Sequence, residues 1–319
     1  MSSTFFKTYD QVGIKEDISD VISNISPTKT PFQTLIKGER VSNRLFQWQE
    51  DSLAGVGDNA QLEGFTASDS TMTPTIMRSN YTQIMQKTVN VSATADVVST
   101  YGRAKETAYQ LSKKADELKR ELEYHLVGKA QNAAAGADGS SARTFANVFG
   151  TDPNSDAVIS ADVTVTIDSD AGTGGNQAGP ITEAAVLEAN QKMYEAGSEA
   201  KFLMIKPADS LIVAGFAAAS GRTRDFAAMT KLVNVVDLYV SPFGEQKVVL
   251  NRFIKATEAI LMDPAMWALV TMRPFTRELL AKTGDNDRHL IVGEFSLKHK
   301  NYKGTGRITN LTGTNPNLP

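Results

Sequence analysis

Residues 102–134 read GRAKETAYQLSKKADELKRELEYHLVGKAQNAA, and within them Ala104, Ala108, Leu111, Ala115, Leu118 and Leu122 recur at alternating steps of four and three. That spacing lays one apolar stripe along a helix, and strong helix formers fill most of the other positions. The stretch therefore predicts a single amphipathic rod, roughly 50 Å long at about 1.5 Å per residue, able to brace an extended subunit. Its charged face carries Arg103, Lys105, Lys113, Lys114, Lys119, Arg120 and Lys129 against Glu106, Asp116, Glu117, Glu121 and Glu123. Such a face is either solvated and laced with local ion pairs, or a basic edge that receives an acidic partner.

Upstream, LFQWQEDSL from Leu45 and NYTQIMQKTVNVS from Asn80 have the content of strands. Between them AGVGDNAQLEGFTASDSTMTP is rich in Gly, Ala, Ser, Thr and Asp, which predicts a long two-stranded excursion. From Leu45 to Met85 the acids are Glu50, Asp51, Asp58, Glu63 and Asp69, the sole base is Arg78, and no lysine occurs before Lys87. Residues 1–44 hold little that forms a compact unit. Asp17, Ile18, Val21, Ile22 and Ile25 suggest one short amphipathic turn or helix, broken by Pro27 and Pro31. Apolar residues in such a segment dock elsewhere, so the segment reads as an arm.

Downstream, residues 136–180 are loop-like apart from one alternating stretch, AVISADVTVTID, which reads as a strand. ITEAAVLEANQKMYEAG then predicts a helix closed by Gly197, KFLMIKP a buried strand and ADSLIVAGFAAA a further helix. LVNVVDLYVS and QKVVLNRFI are β-rich runs joined by the turn PFGE, and AILMDPAMWALVTM, RHLIVGEFSLKHKN and GRITNL supply the last strands. No internal repeat is visible, which argues against a solenoid or propeller.

The chain has 319 residues, 33 basic and 36 acidic, for a formal net charge of -3. That balance is far from the cationic excess of a protein built to grip nucleic acid. With no cysteine, disulfides, thiolate catalysis and cysteine-ligated metals are excluded. No signal peptide is read, and the longest apolar stretches, around Ala208–Ala219 and Ala265–Val270, are too short and interrupted to span a bilayer.

A search for chemistry returns little. Asp152, Asn154 and Asp156 open like a calcium loop, but Ala157 stands where glycine is needed and Val163 where the bidentate Glu belongs. His125, His289 and His299 are scattered, without the spacing of a zinc site or a triad. Gly304-Thr305-Gly306 lacks a following helix, and Asp285-Asn286-Asp287 reads as a turn. No catalytic residue, cofactor or metal site is expected.

Several long phrases in one order carry a resemblance. They are DISDVISNISPTKTPFQTLI, FQWQEDSLA with Glu63-Gly64, NYTQIMQKTVNVSATAD, GRAKETAYQLSKKADELKRELE, VVDLYVSPFGEQKVVLNRF, LMDPAMWALVTMRPFTRELLAKTGD and FSLKHKNYKGTGRITNL. Together they resemble the major capsid proteins of tailed phages with the Hong Kong 97-type fold. The resemblance implies an α+β fold with an N-terminal arm (1–44), an extended β-hairpin loop (45–86) and a peripheral domain (87–180) holding the spine helix (102–134). An axial domain (181–285) would follow, then C-terminal strands (286–319) returning to the peripheral domain.

The function so implied is self-assembly, as hexamers and pentamers, into an icosahedral virion shell assembled in the host cytoplasm around double-stranded DNA. The near-neutral charge suits a container that must release its contents. The expected partners are further copies of the chain, a separate scaffold protein, a portal and decoration or cement proteins, with no membrane. Scaffolding is assigned to a separate protein because the arm before the loop is short. In some relatives a loop lysine is joined covalently to a neighbour; this loop has none between residues 45 and 86, so a shell held by noncovalent overlap is expected. The expected interface residues are Phe32, Leu35 and Ile36 in the arm, Phe46, Trp48, Glu50, Asp51 and Glu63 on the loop, and Lys113, Lys114 and Arg120 on the spine. An encapsulin-like compartment shell and an α+β enzyme are the alternatives.

Overall fold

The computed structural model describes residues 26–67, 69, 72–169, 177–219, 238–313 and 318. The amphipathic segment expected around Asp17–Ile25 and the first part of LVNVVDLYVS lie outside them. In chain order, α1 (Pro31–Leu35) and β1 (Lys37–Arg40) precede β2 (Leu45–Glu50), β3 (Ile76–Tyr81) and β4 (Gln83–Ser92). Next come α2 (Ala93–Val97), the long helix α3 (Glu106–Glu123) and β5 (Thr164–Thr166). The middle of the chain forms α4 (Glu183–Glu195), β6 (Phe202–Ile205), α5 (Ser210–Ala219), β7 (Leu238–Ser241), β8 (Gly244–Leu250) and β9 (Ala259–Met262). It closes with β10 (Trp267–Leu279), β11 (Asn286–His299) and β12 (Thr305–Thr309).

The strands make a four-stranded sheet, β1-β10-β11-β4, a six-stranded sheet, β5-β12-β9-β6-β8-β7, and the separate pair β2-β3. One core joins the two large sheets: Leu118 and Leu122 of α3, Phe32 of α1, Trp267 of β10 and Leu203, Ile260 and Ile308 of the six-stranded sheet belong to one buried cluster. All four residues of β9 are buried, as expected of a strand covered on both faces. Helix α4 ends as its sequence predicts, with Gly197 at φ +83 and Ser198 N–H bonded to Met193 O at 2.9 Å.

The long helix is shorter than residues 102–134. It starts at Glu106, where Asp96 of α2 accepts the Thr107 N–H at 2.9 Å. It continues from Glu123 through a π-turn, Tyr124–Gly128, and stops at Lys129, whose backbone is extended. A side chain at Gly128 would meet the Tyr124 ring and lie 2.8 Å from Phe253 O. Beyond it, Gln131-Asn-Ala-Ala has helix-forming composition but gives its backbone donors away: Gln131 to Asn147 Oδ1, Ala133 to Thr151 O and Ala134 to Thr144 O. Tertiary hydrogen bonds override local propensity there.

NYTQIMQKTVNVS is two strands. Residues up to Tyr81 pair with β2, and residues from Gln83 pair with β11. Thr82, at the break, donates its N–H to Arg44 O at 2.9 Å and its hydroxyl to Glu294 at 2.6 Å. AVISADVTVTID yields a three-residue strand after a 3₁₀ turn.

The sheets also divide elsewhere than at 180/181 and 285/286. β5, from the stretch assigned to the peripheral domain, and β12, expected to return to it, both lie in the sheet of β6, β8 and β9. β10, from the axial stretch, pairs with β11 in the other sheet. The turn Asn301–Gly304 carries the chain across, and Trp267 Nε1 donates to Thr305 Oγ1 at 2.8 Å where the sheets meet.

Candidate subunit interface

The hairpin strands β2 and β3 pair from Leu45↔Tyr81 to Glu50↔Ile76, and the described residues between them form no helix or strand. Gly64, at φ +81, sits in a turn in which Phe65 N–H bonds to Leu62 O at 3.1 Å. Leu53, Val56, Leu62, Phe65 and Met72 are exposed, Leu53 to 99% and Val56 to 107%. Asp51 and Glu63 are exposed beside them. Five exposed apolar side chains on a segment with no packing of its own have the character of an interaction surface. Their spacing follows neither the helix nor the strand period, so periodicity gave no sign of them.

The base of the hairpin is anchored to its own body. Phe46, Trp48 and Glu50 alternate along one face of β2, and that face looks inward. Phe46 stacks on Trp48 with ring centroids 5.6 Å apart, and Trp48 meets His299 edge-on at 5.1 Å. Glu50 is buried, 3.2 Å from Arg78 Nε and 3.1 Å from His299 Nδ1. Arg78 Nη1 reaches Asp156 at 2.7 Å, and its guanidinium lies 4.6 Å from the centre of the Tyr302 ring. Burial pushes the Glu50 carboxyl up, but His299 and Arg78 outweigh it and hold the group below its ordinary value. The loop that resembled a calcium site serves this anchor: Asp152 Oδ1 accepts the N–H of Asn154 and of Asp156, and its side chain is buried. Among the described residues no His, Asp and Glu cluster could hold a metal.

The arm residues also turn inward. Phe32 is fully buried and meets Trp267 edge-on at 6.1 Å, Ile36 is buried, and Leu35 packs against the same core. β1 adds to β10 in parallel, Lys37 opposite Ala268. Glu123, fully buried at the end of α3, accepts the Phe32 N–H at 2.8 Å, the Gln33 N–H at 3.1 Å and Asn251 Nδ2 at 2.8 Å. Thr30, the cap residue of α1, makes no such bond itself. Burial raises the Glu123 carboxyl above its ordinary value despite these donors.

On the spine, Lys114 is paired with Glu117 at 2.8 Å, and the Arg120 guanidinium lies 5.7 Å from the centre of the Phe253 ring. Lys87 of β4 binds both Glu117 and Glu121. Lys113 is exposed, with no ion pair among the described residues. Of the eleven expected interface residues, Phe32, Ile36, Phe46 and Glu50 are thus buried in their own subunit, while Asp51, Glu63 and Lys113 face outward. Arg78 and Glu123 carry the two anchors and had no signal in the sequence, because their partners lie up to 78 and 128 positions away in separate elements.

Comparison with known proteins places this architecture. Residues 1–312 match the family model of the SU10 major capsid protein.

The chain belongs to the SU10 major capsid protein family.

The major capsid protein of Escherichia phage Phieco32 is 33% identical to this capsid-family chain over 344 aligned positions, covering 97% of it and 98% of the relative. Among solved structures, the capsid of an empty GTA particle superposes with a TM-score of 0.62 at 11% identity, covering 94% of this chain and 96% of that one. An encapsulin complex from Synechococcus elongatus gives 0.57 at 8% identity, covering 94% and 92%. The fold is the Hong Kong 97-type capsid fold that the sequence resemblance implied. The family is one of structural capsid proteins and not an enzyme family, and no helix among the described residues is long and apolar enough to cross a membrane.

Proposed function

We propose that the chain is the main building block of a phage head, assembling as hexamers and pentamers into an icosahedral shell around double-stranded DNA. The observation that carries the reading is the excursion between β2 and β3: acidic, studded with exposed apolar side chains, and held at its base by a buried ion-pair cluster. A segment unable to satisfy itself, carried on a firm base, is built to overlap a neighbour, and a lattice sums many such contacts. Within that reading the overlap contacts are Leu53, Val56, Phe65, Asp51 and Glu63 on the loop and Lys113 on the spine. The inward-facing Phe32, Ile36, Phe46 and Glu50 set the geometry of the extensions. A scaffold, a portal and cement proteins are the partners such a role calls for, with assembly in the host cytoplasm.

Negative-stain microscopy of the purified chain, alone and with its scaffold, tests this. Uniform closed shells support it, and a dispersed protein that never closes shells under any assembly condition rejects it. The encapsulin-like reading shares the fold alone, at 8% identity. Shells carrying a cargo enzyme instead of nucleic acid would establish it in place of the phage head.

A further inference from the structure

The arm anchor and the loop anchor meet in one column of rings. Phe32 of α1 lies edge-on to Trp267 of β10 at 6.1 Å, Trp267 lies edge-on to His299 of β11 at 6.2 Å, and His299 receives Trp48 of β2 at 5.1 Å. Trp267 and His299 are direct cross-strand partners in the four-stranded sheet, and Trp267 is held by its bond to Thr305. Both middle rings are buried, to 1% and 3% exposure. At one end stands Glu123, which caps α1; at the other stands Glu50, 3.1 Å from His299 Nδ1 and bonded to Arg78.

We propose that seating of the arm segment 31–40 and orientation of the loop hairpin are one coupled event, transmitted through Phe32, Trp267, His299 and Trp48. Edge-to-face rings in a close-packed interior have few alternative placements, so a shift of Phe32 cannot be absorbed locally and moves the next ring. The loop is thereby presented in its docking orientation when the same subunit's arm is seated. This coupling lies within one chain and holds whatever shell the subunit builds.

Hydrogen exchange of the full-length chain, compared at one assembly state, tests it. Phe32→Leu should speed exchange at residues 76–81 about tenfold, and Trp48→Leu should speed exchange at residues 37–40 by the same factor, because coupling is reciprocal. Residues 203–205 and 259–262 should stay at the native rate in the Trp48→Leu chain. If each substitution affects its own segment alone, the proposal is overturned. The short linker 41–44 offers a competing route, so both measurements are repeated with His299→Gln, which keeps a polar group beside Glu50 and removes the ring. Coupling abolished there supports the column, and coupling that persists overturns it. Should Phe32→Leu unfold the chain, the Trp48→Leu measurement decides alone.

Discussion

The Glu123 carboxylate accepts the backbone N–H of Phe32 at 2.8 Å, across 91 positions of sequence. A five-residue helix that lacks its own side-chain cap is thus capped by the last residue of the spine. The bond ties the arm to the rod that braces the subunit, and its carboxylate has no cationic partner among the described ion pairs.

Removing this cap with Glu123→Ala leaves the buried Phe32 N–H and the part-buried Gln33 N–H without their acceptor and takes one acceptor from Asn251, which keeps its contact with Met204 Sδ. A loss of about 3 kcal/mol is expected in urea unfolding, since each buried donor left unpaired costs about 1–3 kcal/mol.

The two anchors should respond to pH with opposite sign. Glu123 is raised in the folded chain, so its contribution is fully present below the ordinary carboxylate value of 4.5 and declines as pH rises through the raised folded value. Glu50 is lowered, so its contribution is present above 4.5 and declines as pH falls through the lowered folded value. Stability measured against pH should lose its decline above 4.5 in Glu123→Gln and part of its acid loss in Glu50→Gln. Unchanged slopes in both variants would reject the assignment.

Arg78→Met strands Glu50 and Asp152, both buried, beside an emptied cation position. Breaking a buried ion pair from one side costs about 3–5 kcal/mol. Asp156 is half-exposed and hydrates when freed, which places the expected loss near the lower end of that range. Chemical denaturation gives the value, and a loss below about 1 kcal/mol, the scale of a surface pair, would show that the cluster does not hold the hairpin.

Phe65→Ser and Leu53→Ser should leave the stability of the subunit within about 0.5 kcal/mol of wild type, because neither side chain is packed. Shell yield, read by sedimentation, should fall sharply. Normal shells from the double variant would remove these residues from the overlap.

Lys113→Glu should slow assembly at low ionic strength and lose that effect near 1 M salt, where charges are screened beyond about 3 Å. Lys114→Glu acts through its own ion pair with Glu117, and its effect should appear in subunit stability as well. The loop holds no lysine between residues 45 and 86, so shells boiled in detergent should run as a single subunit band; a ladder of linked subunits would contradict noncovalent overlap.

The amino-acid sequence by itself determined the parts whose causes are local. Alternation of Ala and Leu at steps of three and four set the spine, Gly197 ended α4, and the PFGE turn joined β7 to β8. The acidic, lysine-free excursion was legible in composition, and the ordered phrases pointed to the family. Tertiary structure alone decided where the strands found partners: the break at Thr82, the crossing of β12 into the six-stranded sheet, and the inward face of β2. A backbone donor is satisfied equally well by any strand that reaches it, so local pattern announces a strand without naming its neighbour. The same reason hid Glu123 and Arg78. On the sequence each is one more charge beside a helix or a strand, and burial against groups from distant elements makes the first a cap and the second a clamp.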